Sequence, residues 1–168
     1  MSNNPGSPGL EKPVSRARRW LKQGLQLKVQ IKSFEMQLSF LSDRLFSVPS
    51  SAALPRDNGQ SSPPQERLSA FLSEQKAALE ESLRKKINLY LALSMQMVST
   101  INSCTDGKES ITLTAWFIYG KKWSEIADML SLSVKQSQRI LEYALEKIIL
   151  PEDAIWISPG NPSDPQQS

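Results

Sequence analysis

From Trp20 to Val48 the chain repeats one spacing. Trp20, Gly24, Leu27, Ile31, Phe34, Leu38, Leu41, Leu45 and Val48 follow one another at alternating intervals of four and three residues. A helix brings such positions onto one stripe, and an unbroken stripe of this kind calls for a partner helix along its length. At about 1.5 Å per residue, a helix over 14–47 would run on the order of 50 Å. Proline placement agrees. The 11 Pro cluster near the start, around 49–64 and from 151 onward, so 14–48 and 65–150 contain none. A chain punctuated this way has two long blocks, a break between them and loose ends.

The second block opens at Ser62-Pro63-Pro64-Gln65, where Pro stands early and Ser-x-x-Gln forms a capping pattern. It continues through Leu68, Leu72, Leu79, Leu83, Ile87, Tyr90, Met97 and Ile101, with Gln75 interrupting the stripe. Between 87 and 101, Leu89, Leu91, Leu93, Met95 and Val98 make the helix apolar nearly all round, which predicts burial between the first helix and whatever follows. Residues 49–63 are expected to be a mobile loop, and 1–12 a disordered tail. Two long helices joined by one loop pack antiparallel, so 13–104 is expected to be a helical hairpin.

After Cys104 the pattern shortens. Asp106-Gly107-Lys108-Glu109 offers a helix cap, and three short helices are expected over 108–119, 123–130 and 134–149. Ser133-Val134-Lys135-Gln136 is a further capping pattern. Two short helices separated by a turn of about three residues, with another helix before them, form a helix-turn-helix. Ala127 is small where the two would cross, and Ile126, Leu130 and Leu132 would bury the angle. Residues 151–168 read as a tail, within which Trp156 is expected to dock on the body. The expected fold is therefore all-α: a long antiparallel helical hairpin followed by a tri-helical helix-turn-helix domain over 105–150.

Composition narrows the function. Zero His and one Cys leave no Ser-His-Asp or Cys-His arrangement and no His/Cys zinc site, so the expectation is a protein that is not an enzyme and needs no cofactor or metal. The single Cys104 suits a reducing compartment, no apolar run approaches the roughly 18 residues that span a membrane, and no signal-peptide core is visible, which points to a soluble, cytoplasmic chain. The formal net charge of +3 is unevenly spread. Residues 1–63 carry nine Lys/Arg against four Asp/Glu, while 105–150 carry six of each. The excess sits around Arg16, Arg18, Arg19, Lys22, Lys28 and Lys32.

The stretch Phe117-Ile-Tyr-Gly120-Lys-Lys-Trp123-Ser-Glu-Ile-Ala127-Asp-Met-Leu130 resembles region four of bacterial sigma factors. So do Ser133-Val-Lys-Gln-Ser-Gln-Arg139-Ile and Ala144-Leu145-Glu-Lys-Ile148. In overall layout the chain is similar to small phage- and prophage-encoded regulators built on that region. The resemblance covers about 14–150, with its specific part at 115–148. It implies a transcription regulator in a bacterial host cell, with DNA as partner, RNA polymerase as a further candidate, and the hairpin as a candidate homodimer interface. Carried over by position, the DNA-binding residues are Lys135, Gln136, Gln138 and Arg139 on the last helix. Arg suits a guanine edge and Gln an adenine edge. Lys121 and Lys122, before the middle helix, would hold phosphates.

The sequence departs from the family pattern at Trp116, Lys122 and Ser137, which stand in place of a basic, a capping and an aliphatic residue. With 105–150 net neutral, one copy gains little from counterion release. A reading from another class therefore stands beside the first: a phage structural, adaptor or DNA-packaging protein that assembles through its hairpin.

Overall fold

A computed structural model describes residues 11–48 and 64–157, and every regular element among them is helical. Helix α1 runs Pro13–Ser47 and α2 Pro64–Cys104. Then come α3 (Gly107–Leu113), a π-helical turn (Thr114–Ile118), α4 (Trp123–Leu130) and α5 (Val134–Lys147). The all-α class, with a long helix pair followed by short helices, is as expected. The mobile loop expected at 49–63, the expected capping Ser62 of α2, and residues 1–10 and 158–168 of the tails expected at 1–12 and 151–168 lie outside the described residues.

The chain forms two compact units, Met1–Gln26 with Ala92–Ser168, and Leu27–Leu91. In the second unit α1 and α2 run antiparallel. Lys86 Nζ donates to Gln30 Oε1 at 2.8 Å, and Lys28 lies over the Tyr90 ring. The α1 stripe holds: Ile31, Phe34, Leu38, Leu41 and Leu45 are each half-buried, and of the residues between them all but Ser42 face solvent. Leu27 is the one buried residue among the described residues of this unit.

The expected α2 stripe needs correction. Leu68 is 50% exposed, and Gln75 and Ile87 also face solvent, while Ser69, Lys76 and Lys86 are half-buried. A lysine can occupy such a position because its four-carbon stem covers apolar surface while the ammonium reaches outward. Lys86 does both, lying 5.5 Å from the Phe34 ring and bonding Gln30. Burial all round α2 between 87 and 101 is also not found. Leu91 is 54% and Met95 75% exposed, because no described element covers that side.

The first unit has a true core. Ala17, Trp20 and Leu21 of α1 and Leu93, Met97 and Ile101 of α2 pack with Leu113, Phe117, Leu141, Ala144 and Leu145. A smaller cluster of Ala115, Ile126 and Leu130, flanked by Trp116, Trp123, Leu132 and Ile140, fills the angle between α4 and α5. Residues 151–157 form a strap on this body, as the docking expected of Trp156 required. Trp20 Nε1 donates to the Ile155 carbonyl, the buried Gln23 bonds both Ile155 and Ile157, and Gln96 bonds Asp153 and Ile155. Arg16 and Arg19 lie over the Trp156 ring at 5.9 and 5.1 Å.

Two local expectations change. Asp106 occupies the cap position of α3, but its carboxylate makes no capping bond, and Glu109 instead accepts from Lys147 Nζ of α5 at 2.8 Å. Helix α5 ends at Lys147 rather than 149, since Ile148 is already extended.

Candidate nucleic-acid interface

The site is built by α4, its turn and α5. Helix α3 widens into a π-turn in which Tyr119 N–H reaches the Thr114 carbonyl at 3.1 Å and Lys121 N–H reaches that of Ala115 at 2.9 Å. Gly120 then takes φ +65°, a left-handed conformation that glycine adopts without steric cost. The chain reverses there into α4. The widened turn half-exposes Trp116, which stacks on Trp123, the first residue of α4, with ring centroids 4.4 Å apart.

Lys122 holds the cap position of α4, but its ammonium has no lone pair with which to accept a helix N–H. The capping runs the other way: Lys122 N–H donates to Glu125 Oε2 at 2.8 Å, and that bond holds the Glu125 carboxyl below its ordinary value of 4.5. Glu125 also attracts Lys121 Nζ at 3.7 Å. It thus serves its own helix, and Lys121 is partly engaged.

Ser131 closes α4 at φ 54°, and Leu132 N–H returns to the Ala127 carbonyl at 3.0 Å. Ser133 then caps α5 with a complete reciprocal box: Gln136 N–H donates to Ser133 Oγ and Ser133 N–H to Gln136 Oε1. Gln136 is exposed, as expected of a DNA-facing residue, but its carbonyl oxygen is committed to the cap. Ser137 is fully buried, and its hydroxyl donates to the Ser133 carbonyl at 2.9 Å. This explains why a polar side chain is tolerated at that inner position.

Lys135, Gln138 and Arg139 are all exposed and line one open cleft of about 570 Å³ with Trp116, Trp123, Leu141, Glu142 and Arg18. They are brought together. Lys121 and Lys122, also exposed, flank the start of α4 apart from that cleft. Sequence reasoning missed the tryptophan wall and the bond from Arg18 Nη2 to Glu142. The signal available for the second was the basic run at 16–22. Counting only 105–150 hid it: the described residues of the first unit carry eleven Lys/Arg and nine Asp/Glu, net +2. Among the described residues no group of three His, Cys, Asp or Glu could hold a metal ion, and no helix is long and apolar enough to cross a membrane.

No family model, curated protein or solved structure matches the chain.

Proposed function

We propose that the chain is a non-enzymatic transcription regulator that binds duplex DNA through its helix-turn-helix, with Lys135, Gln138 and Arg139 entering the major groove. One observation carries the reading. These three side chains, all able to donate hydrogen bonds, stand exposed together on the first turns of a fully capped helix that follows a tight turn from α4. That is the geometry in which a recognition helix presents its N-terminal residues to base edges. The resemblance of 115–148 to region four of bacterial sigma factors supports the same reading and makes RNA polymerase the second partner to test. Gln136 contributes less, since its carbonyl serves the cap. Lys122 supplies a phosphate contact.

The test is equilibrium binding of labelled duplexes, random and selected, across a salt series. Arg139→Ala should cost about 1–3 kcal/mol on a selected site, while Lys122→Ala should weaken all sequences alike and lower the salt slope by about one. Absence of binding at low salt, with and without polymerase, would overturn the proposal.

A second reading has its own observation. Met36, Phe40 and Phe71 are each more than half exposed on the second unit, and Met36 and Phe40 border an uncharged groove with Gln75, Ala78, Leu79 and Ser82. That surface favours an adaptor that assembles, as a homodimer or with another protein, through its hairpin. Failure of DNA binding together with a stable oligomer would select it.

A further inference from the structure

We infer that the first turns of α1 belong to the DNA-contacting surface, with Arg18 and Lys22 binding backbone phosphates beside the recognition helix. The inference rests on the DNA-binding reading above and extends it to an element outside the helix-turn-helix.

Glu142 stands seven residues beyond Lys135, about 10 Å along the axis of α5. The major groove is about 12 Å wide. If Lys135 and Arg139 reach base edges, residue 142 meets the groove wall, where the phosphates run. A bare carboxylate there would repel them. Arg18 removes that obstacle, because its Nη2 lies between both oxygens of Glu142. A guanidinium has five N–H donors in a planar fork, so the two on Nη1 remain to donate to a phosphate. The Arg18 side chain is 31% exposed, reachable but not loose.

The position is also held. Ala17, Trp20 and Leu21, on either side of Arg18 in sequence, are buried in the core, so the helix beneath it is fixed. Lys22 follows at i+4, on the same stripe of α1. The next residue of that stripe, Leu25, packs at Gly120, immediately before Lys121 and Lys122. Arg18 and Lys22 therefore extend along one side of the unit from Glu142 toward the start of α4. Arg16 and Arg19 are directed elsewhere: both lie over Trp156, and Arg19 pairs with Glu11 at 2.7 Å. The basic run is thus divided into two arginines that hold the strap and two cations that meet DNA.

The experiment uses the full chain and a labelled duplex of about 25 base pairs, titrated from low to moderate salt. Arg18→Gln and Lys22→Gln should each lower affinity several-fold and reduce the salt slope by about 0.9, the value expected for one lost phosphate contact. Arg18→Lys should keep the wild-type slope, and Arg16→Gln should leave both quantities unchanged. Glu142→Gln should raise affinity. Lys22 is exposed, so its variant reports even if Arg18→Gln folds poorly. Wild-type binding with unchanged slopes in both Gln variants would overturn this inference alone. No wild-type binding at the lowest salt would overturn it together with the DNA-binding reading.

Discussion

The same two helices behave differently in the two units. Up to Gln26, α1 buries Ala17, Trp20, Leu21 and Gln23 to 2% exposure or less; beyond Leu27 its best-placed side chains are only half-buried. The apolar spacing does not change between the two. What changes is the number of partners. In the first unit α1 meets α2, the π-turn, α5 and the strap, whereas in the second the described residues offer it α2 alone. A 4/3 stripe therefore specifies a helix and its orientation, while depth of burial depends on elements that arrive from elsewhere in the sequence.

Paired substitutions should separate the two units most clearly. Trp20→Ala should cost about 3–5 kcal/mol in a urea or thermal melt, since it opens a cavity in a closed core. Leu38→Ala, equally on the stripe, should cost about 1 kcal/mol or less, because its site is already half in water. Equal losses would mean that the second unit is covered as fully as the first.

Next in size is Gln23→Ala. Gln23 is 2% exposed, accepts from Ile157 N–H at 2.6 Å and donates to the carbonyls of Trp20 and Ile155. Its loss should destabilise by about 1–3 kcal/mol and expose 151–157 to proteolysis. A variant with wild-type protease resistance would show that Trp20 and Gln96 hold the strap without it.

The smallest effect has the opposite sign. Gly24 sits on the α1 stripe, where a glycine costs the helix stability relative to alanine. An added Cβ would lie 3.4 Å from Met97 Sδ, an ordinary contact with the end of a flexible side chain. Gly24→Ala should therefore stabilise by about 0.5–1 kcal/mol through helix propensity. A loss of stability would show that Met97 cannot yield.

Much of the fold was legible, and the failures have physical causes. The bounds of α1 follow from Pro13 and Pro49, and the start of α5 from the Ser133-x-x-Gln136 capping pattern. The half-buried stripe of α2 is hard to read because it is not apolar at every position. Carrying the spacing back from Met97 through Leu93 and Tyr90 lands on Lys86, Leu83, Leu79, Lys76, Leu72 and Ser69, which are the half-buried residues. Lysine stems fill positions that a hydrophobicity pattern marks as gaps.

At the site, Lys135, Gln138 and Arg139 were readable as one face of α5 from their i, i+3, i+4 spacing. Gln136 was readable both as a cap and as an outward residue, and the structure engages it in the cap. The Arg18–Glu142 pair could not be read from local pattern, because its partners are 124 residues apart. The π-turn at 114–118 was also hidden. No proline or glycine within 114–118 marks it.

We propose that DNA is bound by the first unit, along α5 and the first turns of α1, and not by the second. Hydrogen–deuterium exchange of the full chain, with and without duplex DNA at low salt, tests it directly. Added DNA should slow exchange at 16–22, 121–124 and 133–142 and leave 30–46 and 68–88 unchanged. Protection confined to 30–46 and 68–88, or none at any DNA concentration, would contradict that placement.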